Sequence, residues 1–273
     1  MSFIEKLKNA WVSNNSLLCI GLDPDTEKFP DLFKTMAKPE AVFAFNKAII
    51  DATHDLVCAY KPQIAYFSAE AAETSLEQTI AYIKTQYPHI PVILDAKRGD
   101  IGSTAQKYAA EAFERYQADA VTVNPYLGLD SITPFTAYRE RGTILLCRTS
   151  NSGAADLQDL SVDGIPLYQK VAITARDHWN SHNNCLLVVG ATWPEQMAAI
   201  RQLVGDMPFL VPGVGAQGGD VNAMVKAGKT ADGNGLIISS SRAVLYASNG
   251  DDFAQAARAV ALSLRQQINV ARA

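Results

Sequence analysis

The chain has 273 residues, 48% of them hydrophobic and 19% charged, with a formal net charge of −4. That length suits an α/β barrel, and the apolar share suffices for a large core. Lys and Arg are scattered and no apolar run reaches bilayer-spanning length, so neither a nucleic-acid surface nor a membrane segment is expected.

Phe3, Ile4, Leu7 and Trp11 have helical spacing, so the first residues read as an amphipathic helix rather than a secretory leader. Leu17 to Asp23 reads as a buried strand ending in a carboxylate, turned by Pro24 and Asp25. A helix is predicted from Ala41 to Ala59, with Phe45, Ile49, Ala52 and Leu56 on one stripe. Tyr60 to Phe67 reads as the second strand, and helical spacing returns from Thr74 to Gln86. Val92, Ile93 and Leu94 are the branched run of a third strand, buried on both faces. Ser103 is expected to cap the helix that follows.

Ala120 to Pro125 and Gly142 to Arg148 read as strands four and five. A long polar connection from Ser150 leads to a helix from Pro166 to Trp179. Leu186 to Gly190 is the sixth strand, and a helix starts at Pro194 and runs towards Val204. Pro208 to Pro212 is the seventh strand, followed by a glycine-rich stretch to Gly219. Gly235 to Arg242 is the eighth, and a last helix spans Phe253 to Ala271.

Strands alternating with helices in this way predict an α/β fold: a TIM (β/α)8 barrel with an extra N-terminal helix, one domain over residues 1–273. An open doubly wound sheet is the alternative, but no G-x-G-x-x-G follows the first strand. Cys19, Cys58, Cys147 and Cys185 lie far apart with no C-x-x-C, which points to reduced thiols and a cytoplasmic location.

In a barrel the C-terminal strand ends share one mouth. Asp23, Lys61, Asp95, Lys97, Asn124, Ser150, Pro212 and Arg242 all fall at or just past strand ends. Asp95 and Lys97 stand two apart, on one side of an apolar strand, with Asp100 beyond Gly99. An ordinary salt bridge would account for the first two, and a helix N-terminus for the third. Charges at the end of a buried run are costly unless paired, however, and such clusters mark functional sites. Gly213, Gly215, Gly218 and Gly219 would let backbone N–H groups approach an anion, and Arg242 would add a permanent charge. Alone, the glycines would make a tight turn and Arg242 a surface ion pair. On adjacent loops they favour phosphate. Lys61 reads equally as a surface lysine, and Asp23 as a turn cap. His178 and His182 are four apart but lack an accompanying carboxylate motif, so no metal site is expected.

The stretch Asp95-Ala-Lys97-Arg98-Gly99-Asp100-Ile101 resembles the D-x-K-x-x-D-I signature of the orotidine 5′-phosphate decarboxylase family. Gly21-Leu-Asp23-Pro-Asp, Tyr60-Lys61-Pro-Gln, Asn124-Pro-Tyr-Leu-Gly, Pro212-Gly-Val-Gly-Ala-Gln217 and Ser241-Arg242 agree in order, in the manner of the bacterial type 2 subfamily. The resemblance implies a lyase that converts orotidine 5′-monophosphate to UMP and CO2, the last step of de novo pyrimidine synthesis, without metal or organic cofactor. It implies a charge array of Lys61, Asp95, Lys97 and Asp100, with Lys97 protonating C6. Asp23 would contact the ribose, Ser150 the pyrimidine, Thr104 the ribose end, and Gln217 and Arg242 the phosphate. Asn124 and Pro212 would face the substrate. A homodimer is implied too, with Asp100 and Ile101 contributed to the partner's site. A related metal-dependent sugar-phosphate decarboxylase and a non-catalytic phosphate-binding barrel are the rival expectations.

Overall fold

Eight short runs of branched and aliphatic residues form the parallel strands of one sheet in this computed structural model, which describes residues 1–214 and 220–273. They are β1 (Leu18–Leu22), β2 (Ala59–Pro62), β3 (Ile93–Arg98), β4 (Ala120–Val123), β5 (Gly142–Arg148), β6 (Cys185–Val189), β7 (Phe209–Pro212) and β8 (Leu236–Ser240). Their order around the sheet is β2-β1-β8-β7-β6-β5-β4-β3. Parallel bridges from Tyr60 to Val92 and from Gln63 to Asp95 bring β2 against β3, so the sheet forms a nearly closed TIM barrel. The strands lie inside a shell of helices, which explains their unbroken apolar runs.

The outer helices follow from simple patterns. Phe253–Arg272 buries Phe253, Ala257, Ala261, Leu264 and Ile268 along one stripe. Each large side chain buried this way contributes about 1.5–3 kcal/mol. The N-terminal helix, Phe3–Ser13, starts with a capping box in which Ser2 and Glu5 satisfy each other's backbone N–H groups. It buries Phe3, Leu7, Ala10 and Trp11, and Lys6 reaches Asp119 at 2.9 Å at the N-terminal ends of the strands.

Three expectations need correction. Only Ala59–Pro62 of the second segment is strand; Gln63 Oε1 accepts from the Ala65 N–H at 3.1 Å and starts a helix, Ile64–Ser68. Local capping there overrides the β preference of Ile64, Tyr66 and Phe67. Ser103 does not cap the helix after β3, because that helix, Gly102–Ala110, begins one residue earlier. The connection after Ser150 carries a 3-10 turn, Ser152–Asp156, and a two-stranded antiparallel ribbon, Ser161–Val162 with Ile165–Pro166. Sequence reading also missed three helices: Leu129–Thr136, which contains Pro134, Val221–Gly228, capped by Asp220, and the short Arg242–Leu245.

Candidate active site

One carboxylate holds two ammonium groups at the C-terminal end of the barrel. Asp95 Oδ2 accepts from Lys61 Nζ at 2.9 Å, and Oδ1 accepts from Lys97 Nζ at 2.7 Å. Lys61, on β2, is buried, as is Asp95 on β3. The Lys97 side chain is 47% exposed and reaches into the mouth. Burial opposes charge on Asp95, but Lys61 and Lys97 outweigh it and hold the carboxyl far below the usual carboxylate range. Burial likewise opposes the Lys61 ammonium. Asp95 and Asp23 overcome that effect and raise it above the ordinary lysine value. Asp95 and Lys61 are therefore a fixed pair of opposite charges through the neutral range.

Simple alternation does not set the Lys97 direction. The β3–β4 register shifts between Leu94 and Arg98, and Lys97 has φ of +47°, in the left-handed region. For a residue with a side chain that conformation costs about 1–2 kcal/mol. The Thr122 hydroxyl on β4 sits inside the distortion. It accepts from the backbone N–H groups of Ala96 (3.0 Å) and Lys97 (2.9 Å) and donates to Asp95 Oδ1 at 2.9 Å. Arg98 turns outward and grips Glu111 through Nε and Nη2, each at 2.9 Å.

The mouth has two lobes that share Lys61, Asp95 and Pro212. The larger, about 530 Å³, pairs Leu146, Val188 and Leu210 with the polar Thr149, Ser150 and Gln158. An apolar slot with a few polar groups on one rim suits a flat heteroaromatic ring. Ser150 comes close because β6 is followed by Gly190; a Cβ there would lie 2.8 Å from the Ser150 backbone nitrogen. The smaller lobe, about 200 Å³, is lined by Asp23, Ser239, Ser241 and Arg242. Asp23 Oδ1 is buried there without a hydrogen-bond partner, an acceptor ready for a ligand hydroxyl.

The structure thus brings together Lys61, Asp95, Lys97, Asp23, Ser150, Pro212 and Arg242. Asp100, Ile101, Thr104 and Asn124 line neither lobe. Asp100 Oδ1 accepts from the Ile101 N–H at 2.8 Å, Ile101 and Thr104 are exposed, and Asn124 caps the turn Pro125–Leu127. Gln217 lies outside the described residues, with Gly215, Gly218 and Gly219. Among the described residues no group of three or more His, Cys, Asp or Glu gathers to hold a metal ion.

Sequence reading missed Thr122, Gln158 and Arg148. Gln158 Oε1 accepts from the Thr149 N–H, and Nε2 donates to Thr149 Oγ1, both at 2.9 Å. Arg148, fully buried, lies 4.7 Å from the Trp193 ring and pairs with Asp159 at 3.2 Å. Together they latch the connection after β5 to the barrel rim. A lone threonine in Ala120-Val-Thr-Val and an arginine ending an apolar strand were the available signals.

A family model described as Orotidine 5′-phosphate decarboxylase / HUMPS family matches residues 16–260. The chain is 61% identical over 269 residues to the orotidine 5′-phosphate decarboxylase of Ralstonia pickettii strain 12J, covering 98% of each. Against the orotidine 5′-phosphate decarboxylase of Dechloromonas aromatica strain RCB it is 60% identical over 272 residues, covering 100% of both. Among solved structures, OMP decarboxylase of Leishmania donovani aligns with a TM-score of 0.86 at 39% identity, over 100% of this chain and 99% of that one.

Proposed function

The chain belongs to the orotidine 5′-phosphate decarboxylase / HUMPS family, and from that premise we propose how its residues carry out the reaction. It is a lyase that converts orotidine 5′-monophosphate to UMP and CO2, within pyrimidine biosynthesis. The observation that carries the residue assignment is Asp95 clamped between Lys61 and Lys97 at the junction of an apolar slot and an arginine-lined lobe.

Loss of CO2 leaves an electron pair on C6 of the pyrimidine, in an orbital with no electron sink. The Lys97 ammonium stabilises that charge as it develops, without solvent reorganisation, and then gives C6 a proton. Asp95 holds the Lys97 ammonium by a hydrogen bond until that transfer, and buried Lys61 keeps Asp95 ionised. The pyrimidine occupies the slot beside Ser150 and Pro212. Asp23 accepts from a ribose hydroxyl, and Arg242, with Gln217, holds the phosphate. Binding energy from that remote phosphate offsets the cost of ordering the site.

The site is completed by a second copy of the chain, which supplies Asp100 and Ile101, and Thr104 contacts the ribose end of the substrate. Support comes from the Asp100 carboxylate, which makes no ion pair among the described residues, and from exposed apolar side chains just past β3 and β4, Ile101, Tyr126, Leu127 and Leu129. Asn124 stands at the same rim. We also place residues 1–273 in one domain and the enzyme in the cytoplasm. Four free, buried cysteines suit a reducing compartment, and among the described residues no helix is long and apolar enough to cross a membrane.

The test is the loss of orotidine 5′-monophosphate absorbance with purified protein, with and without EDTA. Full activity in EDTA is expected; loss with chelator would favour the metal-dependent sugar-phosphate chemistry of the rival reading. Lys97→Ala should abolish turnover while UMP still binds. Turnover within tenfold of the parent would remove Lys97 from the proton-donor role.

A further inference from the structure

We infer that Thr122 is a positioning residue of this site: its hydroxyl holds the Lys97 backbone in the left-handed conformation and fixes the Asp95 carboxylate that Lys97 faces. The inference rests on the role proposed for Lys97. A threonine hydroxyl has one proton and two lone pairs. At Thr122 both lone pairs are taken, by the N–H groups of Ala96 and Lys97, so the proton has one direction left, towards Asp95 Oδ1. A single buried oxygen thereby sets a backbone distortion and the orientation of a carboxylate at once.

The distortion matters because it aims the side chain. With the β3–β4 pairing shifted between Leu94 and Arg98, the two N–H groups inside the shift lose their regular ladder partners, and Thr122 supplies the replacement. Lys97 at φ of +47° is a strained arrangement that persists only where its surroundings determine it. Asp95 Oδ1 also accepts the Lys97 Nζ, so the same hydroxyl anchors Lys97 at both ends, its backbone directly and its ammonium through the carboxylate. Thr122 lines the larger lobe, where loss of its hydroxyl would disturb the chemistry more than the grip on ribose and phosphate.

Thr122→Val keeps the β-branched shape that suits the strand and deletes the hydroxyl. A misplacement of about 1 Å at the reacting centre costs about 100-fold in rate. The expected result is a fall in kcat of about 10- to 100-fold, with UMP affinity within about threefold of the parent. Thr122→Ser, which keeps the hydroxyl, should recover most of the loss. In a crystal structure of the valine variant, Lys97 should leave the left-handed region and its Nζ should leave Asp95. Thr122→Ala takes the place of the valine variant if that chain does not fold. A kcat within twofold of the parent, a serine variant as slow as the valine variant, or an unmoved Lys97 would overturn the inference. Failure of the parent to decarboxylate would sink the proposed chemistry instead, and the crystallographic comparison would still decide whether Thr122 positions Lys97.

Discussion

Tyr246 ties down Asp23: its hydroxyl donates to the Asp23 carbonyl at 2.8 Å while accepting from the Asp25 N–H at 2.7 Å. Tyr246 follows the short helix Arg242–Leu245 after β8, so the clasp joins the loop of Asp23, proposed for the ribose, to that of Arg242, proposed for the phosphate. Tyr246→Phe removes the donor and leaves the Asp25 N–H without its partner. One such hydrogen bond contributes about 0.5–1.5 kcal/mol, so KM should rise about 2- to 10-fold. Because the clasp lies away from Lys97, kcat should stay near the parental value. Steady-state kinetics read both; a fall in kcat at constant KM would place the clasp in the chemical step.

Among the described residues, the Arg242 guanidinium is the cation of the smaller lobe that lies outside the Lys61–Asp95–Lys97 cluster. Arg242→Ala should weaken orotidine 5′-monophosphate by about 10- to 150-fold, the effect of about 1.5–3 kcal/mol for a charge-assisted hydrogen bond. The unphosphorylated nucleoside should bind almost as before. Gln217→Ala should act in the same direction but less. Titration calorimetry with both ligands checks this, and equal losses for nucleotide and nucleoside would place the phosphate elsewhere.

The barrel was legible because each strand is an apolar run bounded by Gly, Pro or a charge, and such runs need a covered sheet. The cluster was legible in part. Period-two spacing correctly put Asp95 and Lys97 together, but for an incomplete reason, since Lys97 arrives through a register shift and a left-handed backbone. Thr122 could not be found that way, because its role exists only once β3 and β4 are paired. The helix Leu129–Thr136 was hidden by Pro134, which removes a donor but tolerates the neighbouring turns. The latch of Arg148 and Gln158 was hidden for a similar reason: it joins a strand end to a loop, and no periodicity reports such a contact.

Asp95 also links stability to pH. Its carboxyl is held below its unfolded value, so its contribution is fully present above that value and is lost as pH falls towards the folded one. Asp95→Asn leaves Lys61 buried without that counterion and should destabilise the fold by about 3–5 kcal/mol at pH 7. Between pH 7 and pH 3 the gap should narrow by about 1 kcal/mol, because the parent loses what the variant never had. Urea unfolding at the two pH values measures it. A gap that widens in acid would mean that Asp95 is not ionised in the folded state.

Asp100 stands three residues from Lys97, beyond Gly99, with its carboxylate turned to the Ile101 N–H instead of to its own lysines. If it serves a partner's mouth, a two-fold dimer exchanges it reciprocally. Lys97→Ala and Asp100→Ala chains should each be inactive alone. After subunit exchange, a mixed dimer carries both defects in one site and neither in the other. With random equal mixing, half the dimers are mixed and half of their sites are intact, so about a quarter of parental activity should return. If Asp100 acts within its own chain, every site keeps one defect and activity stays at the mutant background. Native mass spectrometry of the mixture verifies exchange, and background activity in a sample that has exchanged would exclude the shared site.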